Sequence, residues 1–184
     1  LVACGTNVSV TDNVFTVGDG NAIVGSGPSE GDVRGLTVEG NTINGGYYSG
    51  IQFGGAIDST VSNNIVKNNY YGILMEPSYG WLYPASGFEA YLSIGNTITD
   101  NHAWGNAIDL YHHVDNPGNT WEQNKCITTE GAEIPACLSP DPIPPAAIDS
   151  LAAARGTLPA TVDLSWTAPG DDDVTGTAAS YEVR

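Results

Sequence analysis

The chain of 184 residues is poor in basic side chains: Lys and Arg total 5 against 21 Asp and Glu, a formal net charge of −16. Little in it could neutralise a phosphate backbone or an anionic bilayer, so the composition argues against nucleic acid and membrane surfaces as partners. It equally argues against direct binding of a polyanionic sugar unless a divalent cation intervenes. Long apolar runs are missing too. None reaches the roughly eighteen residues of a spanning helix, and no membrane insertion is expected. Good helix formers are scarce, with a single Met, while Gly reaches 23; that balance favours strands and turns. Leucine is sparse and no LxxLxL pattern occurs, which disfavours a leucine-rich horseshoe. There is no initiator Met, charged leader or signal-peptide core, and LVACGTNVSV already has strand character, so natural N-terminal turns are expected upstream.

Cysteines are few: Cys4, Cys126 and Cys137. The last two enclose a loop rich in turn formers, KCITTEGAEIPACLS, and read as a disulfide stabilising by about 2–4 kcal/mol. Two reduced thiols are the alternative; a metal site lacks a second ligand pair nearby. A disulfide implies an oxidising setting, hence a secreted or cell-surface protein. The partner of Cys4 is expected in the missing upstream part.

What the chain does have is a repeat. GNTI occurs at 40–43 and again at 95–98, with GNTW at 118–121. The asparagines Asn13, Asn41, Asn64, Asn96 and Asn119 precede large apolar residues at intervals of 28, 23, 32 and 23. Ile23, Ile51, Ile73 and Ile108 trail the first four by 10, 10, 9 and 12. The unit is therefore about 23 residues, with insertions such as SGPSEG and PSYGWLYPASGF. Such a unit cannot bury its apolar side alone, but successive units coiled on one another can. Each strand then pairs in parallel with the next turn, the isoleucines stack inside, and the asparagines bond to one another about 4.8 Å apart along the axis. Glycine before the asparagine permits the bend.

These repeats resemble the right-handed parallel β-helix proteins, including NosD-like and pectate-lyase-like members that act on carbohydrate. The resemblance covers roughly residues 7–138 and implies an all-β coil with Trp121 and the cysteine loop closing its last turn. At 139–145 the sequence becomes a proline-rich linker, SPDPIPP. From 146 to 184, AAIDSLAAA, TVDLSWTAP and SYEVR resemble the first half of a fibronectin type III sandwich, with Trp166 as its buried tryptophan and Tyr181 opening the next strand. The fold expectation is thus a parallel β-helix over 1–138, a linker, and a partial fibronectin type III-like β-sandwich. The GDDD run at 170–173 has the composition of a calcium site, the one cofactor the sequence suggests, but it lies outside the coil and a solvated loop is the favoured reading.

With the isoleucines inward, alternation places Gln52, Glu76, Asp109 and Tyr111 on one outer face. Tyr47 with Tyr48, and Tyr70 with Tyr71, sit at equal offsets from their asparagines, with His102 and Trp104 in the corresponding bend of the following turn. Stacked rings on adjacent rungs suit the apolar faces of sugars, or serve only to strengthen the sheet. Glu76 and Asp109, one rung apart and offset by two, are expected about 7–8 Å apart at Cβ, within the roughly 6.5–9.5 Å that suits an inverting glycoside hydrolase. Adjacent His112 and His113 must point to opposite faces, so one at most serves the groove; His112 is the candidate. The paired arginines of pectate lyases, the polygalacturonase motifs and the epimerase Asp-Pro-His signature are absent from the coil. The expectation is a monomeric extracellular protein that binds or processes a polysaccharide or other glycan through Gln52, Tyr47, Tyr48, Tyr70, Tyr71, Trp104, Tyr111 and His112; the alternative is a surface stalk or adhesin.

Overall fold

The computed structural model describes residues 1–16, 18–26, 33–80, 89–132, 134–138, 150–158 and 160–167. The chain divides into two compact units, Leu1–Pro140 and Asp141–Arg184. Among the described residues there is no helix.

The first unit is a coil of parallel strands. One sheet has five strands, in spatial order Ser9–Thr11, Thr37–Glu39, Thr60–Ser62, Thr97–Thr99 and Thr120–Glu122. A second sheet has eight, dominated by the long strands Thr42–Gly54 and Ile65–Glu76, which carry Val14–Thr16 and His102–Trp104 on their first halves and Ile23–Ser26 and Ile108–His112 on their second. A third, short sheet joins Gly5–Thr6, Val33–Arg34 and Ala56–Ile57.

Alternation on each strand sends its apolar residues inward, where equivalent positions of successive turns stack. Val10, Val38, Val61, Ile98 and Trp121 form one interior column. Ile23, Ile51, Ile73 and Leu110 form another, with Gly25, Phe53, Met75 and His112 beside it. Each such side chain taken from water stabilises by about 1.5–3 kcal/mol. The isoleucine stack is thus present for three turns, but Leu110 fills the fourth place. Ile108 pairs instead with Tyr71 and is half-buried.

The bends share one construction. A residue with left-handed backbone comes directly before the residue whose side chain turns inward: Asp12 before Asn13, Gly40 before Asn41, Asn63 before Asn64, Asp100 before Asn101, Gln123 before Asn124. Glycine, Asn and Asp adopt that conformation most readily. The five asparagines then form a ladder, in which the backbone N–H and the side-chain Nδ2 of one both donate to Oδ1 of the next at 2.9–3.1 Å. Buried amides are costly unless bonded, and here Asn41, Asn64 and Asn101 are each bonded to the asparagines above and below, with exposed Asn13 and buried Asn124 at the two ends.

The expected ladder is corrected in its membership. Asn13, Asn41 and Asn64 continue to Asn101 and Asn124, while Asn96 and Asn119 belong to a second ladder one bend earlier. That second ladder begins at Ser59: Leu36 N donates to Ser59 Oγ (3.0 Å), Ser59 N to Asn96 Oδ1 (2.9 Å) and Asn96 N to Asn119 Oδ1 (2.9 Å).

The coil closes as its sequence suggested. Trp121 is buried on the last rung, Leu138 N donates to Asn124 O (2.9 Å), and Cys126 and Cys137 form a disulfide with Cα atoms 5.3 Å apart. Ile134 and Cys137 pack against the core from this closing loop. In the second unit Ala152–Arg155 and Val162–Ser165 pair as an antiparallel hairpin. The proline linker 139–145, the GDDD run and Tyr181 lie outside the described residues.

Candidate functional site

The second half of the eight-stranded sheet lines up Val24, Gln52, Leu74, Tyr111 and Glu130 across successive turns on the side away from the isoleucine stack, with Leu74 covered at 1% exposure. A neighbouring column runs from Ser26 through Gly54 to Glu76. Where the long strands bend, the register between them shifts between Asn69 and Tyr71, and this irregularity turns the tyrosines toward one another. Tyr71 is the hub. Its ring meets Tyr48 at 5.4 Å, Tyr70 at 4.8 Å and Tyr111 at 5.4 Å between centroids, all edge-to-face. Such contacts contribute about 0.5–1.5 kcal/mol each beyond burial, so the cluster is held in shape before any ligand arrives. Tyr48 is 38% and Tyr70 51% exposed, leaving ring surface open to solvent.

A polar chain borders these rings. Asn21 Nδ2 donates to Gln52 Oε1 (2.7 Å), and Gln52 Nε2 donates to Glu76 Oε1 (2.5 Å). Burial holds the Glu76 carboxyl above the usual range, and the Gln52 bond and the charge of His113 pull partly against it. The Tyr48 hydroxyl is pushed up by burial, then by the Glu76 charge and the other tyrosines. Tyr71 is raised by burial, then by Tyr48, Tyr70, Glu130 and Tyr111. These phenols stay neutral hydrogen-bonding groups.

Of the residues expected on this face, the structure brings together Gln52, Glu76, Tyr48, Tyr70, Tyr71 and Tyr111. Tyr47 is 80% exposed, beside Tyr48 in sequence. Trp104 lies on the first half of the sheet, in register with Lys67, where its ring packs on His102 at 4.1 Å and beneath the Lys67 ammonium at 5.5 Å.

Two residues are not on the outer face. Asp109 is 1% exposed. Its Oδ1 accepts from Asn106 Nδ2 (2.9 Å) and its Oδ2 from the backbone N–H groups of Ile127 (2.9 Å) and Thr128 (3.1 Å), so it splices one turn to the next. The cause is the two-residue slip that puts Leu110 rather than Ile108 level with Ile73, moving Asp109 to the bend. Glu76 and Asp109 therefore do not face each other across a groove. His112 is fully buried, with Nδ1 2.7 Å from Ala132 O and Nε2 2.8 Å from Asn116 O. It ties the closing loop to the coil, and His113 is the histidine whose charge reaches Glu76.

Asn21 and Glu130 went unnoticed in the sequence. Glu130 is found only by continuing the outward column one turn past Tyr111, into a segment with no repeat signature.

Among known families, the model described as right handed beta helix region matches residues 1–125. No curated protein and no solved structure matches the chain.

Proposed function

The chain belongs to the right-handed β-helix family, and on that premise we propose that it is an extracellular protein that binds a polysaccharide on the tyrosine-bearing face of its coil. One observation carries this reading. Tyr48, Tyr70, Tyr71 and Tyr111 form a contiguous, partly exposed aromatic surface beside the Asn21–Gln52–Glu76 polar chain. Sugar rings present an apolar face fringed by hydroxyls, and a surface of rings with adjacent amide and carboxyl groups complements both. Binding is favoured over hydrolysis because Asp109, the expected second carboxyl, is committed to backbone N–H groups. The Cys126–Cys137 bridge supports an oxidising, extracytoplasmic setting. In the second unit the Ala152–Arg155/Val162–Ser165 hairpin supports the opening strands of a fibronectin type III-like module.

A stalk or adhesin is the second reading, favoured by the unbroken asparagine ladder, which makes the coil a stiff spacer. A glycan array separates the two. The binding reading expects retention on at least one glycan class, abolished by the double substitution Tyr70→Ala and Tyr71→Ala. Retention on no glycan, or retention untouched by that variant, leaves the stalk.

A further inference from the structure

We infer that the glycan taken by this face carries free amino groups, that is, an amino-sugar polymer presenting ammonium. The inference rests on the binding reading above and names its ligand class. The tyrosine cluster lies between two carboxylates. Glu76 stands two residues beyond Leu74 on the strand Ile65–Glu76, close enough for its charge to act on the Tyr48 phenol. Glu130 is in register with Tyr111 on the following turn and acts in the same way on Tyr71. An ammonium over a phenol ring is drawn to the negative face of its π-system, and a carboxylate at the rim adds direct attraction.

The Lys and Arg side chains of the coil are placed elsewhere. Arg34 is paired with Asp58 at 2.5 Å. Lys67 sits over Trp104 on the first half of the sheet, and the backbone of Lys125 pairs with those of His102 and Leu138 beside it. Among the described residues, no Lys or Arg belongs to the outward columns of the tyrosine half. With a net charge of −16, the molecule as a whole attracts a polycation and repels a polyuronate. A neutral glycan would use the ring faces alone and make no charged contact with Glu130 or with Glu76, which only His113 reaches from the coil.

The test compares binding of the full chain to three oligomers of equal length by titration calorimetry: β-linked glucosamine with free amines, its N-acetylated counterpart, and the neutral glucose oligomer. At a pH where the amines are protonated, the free-amine oligomer should bind at least about tenfold more tightly than the others, each tenfold being about 1.4 kcal/mol, and added salt should erode the difference. Substituting Glu76→Gln with Glu130→Gln should bring the three affinities together. Substituting Glu39→Gln with Glu122→Gln, on the five-stranded sheet, should keep the preference and so exclude general attraction to an acidic protein. Equal affinities in the native chain, a preference that survives Glu76→Gln/Glu130→Gln, or one that disappears with Glu39→Gln/Glu122→Gln each overturns the inference while glycan binding stands. If no oligomer binds and the glycan array is also blank, the binding reading and the inference fall together.

Discussion

Replacing Asn64 with alanine tests the ladder where it is most enclosed. Asn64 is fully buried. Its Oδ1 accepts from Asn41 N (2.9 Å) and Asn41 Nδ2 (3.0 Å), and its Nδ2 donates to Val38 O, Ser62 O and Asn101 Oδ1, each at 2.9 Å. Asn41 Nδ2 retains Val10 O and Glu39 O as acceptors, and Asn64 N–H still reaches Asn101. The Asn41 backbone N–H, however, loses its acceptor inside the coil, and two carbonyls lose a donor. The carbonyls keep backbone donors, Ser62 O accepting from Gly40 N at 3.2 Å, so the N–H is the group left unsatisfied, at a cost on the order of 2 kcal/mol. That is a large share of the roughly 5–15 kcal/mol that holds a domain folded. Urea unfolding followed by tryptophan fluorescence measures it. The matched control is Asn44→Ala, which deletes an amide–amide bond to Asn68 at 2.7 Å on the exposed side and should cost within about 0.5 kcal/mol. Equal, small losses for the two variants would refute the assignment of coil stability to the ladder.

Other consequences follow from the same geometry. Asp109→Ala orphans the Ile127 and Thr128 N–H groups and should lower unfolding free energy by about 3 kcal/mol or more; an unchanged melting temperature with altered glycan turnover would restore a solvent-facing role. Reducing the Cys126–Cys137 bridge, which spans 11 residues of sequence, should cost about 3 kcal/mol by loop closure, and an unaltered urea midpoint in reductant would deny the bridge any share in stability. Glu76 has its carboxyl raised by burial, so the folded state holds that proton more tightly than the unfolded state. Its favourable contribution is complete below the unfolded value of about 4.3 and is lost as pH rises through the higher folded value. Native protein should therefore lose stability relative to Glu76→Gln across that window, and parallel stability curves would contradict the burial.

How far the sequence disclosed this arrangement is best seen at GNTI. Gly40 and Gly95 both have left-handed backbone, with φ of 67° and 68°, so the two tetrapeptides make the same kind of bend. They make it at different corners. Asn41 follows the five-stranded sheet on the ladder through Asn64, whereas Asn96 precedes that sheet on the ladder through Ser59. Ser59 hid the second ladder, because its hydroxyl does an amide's work without looking like one. The insertion after Glu76 then made the wrong alignment plausible, since the true interval from Asn64 to Asn101 is 37 residues. The parallel coil, the isoleucine stack of three turns and the adjacency of Tyr48, Tyr70 and Tyr71 were legible from periodicity and alternation, and the closing disulfide from the turn-rich loop between its cysteines. The burial of Asp109 and His112 was not. It follows from a two-residue slip and from a closing loop, and neither leaves a repeat signature.

The most direct measurement of the central claim is hydroxyl-radical footprinting of the chain with and without a glycan retained on the array. The account predicts protection at Tyr48, Tyr70 and Tyr111, with exposed Val114 and Ile127 unchanged. Protection confined to other faces of the coil, with those tyrosines as reactive as in the free protein, would contradict it.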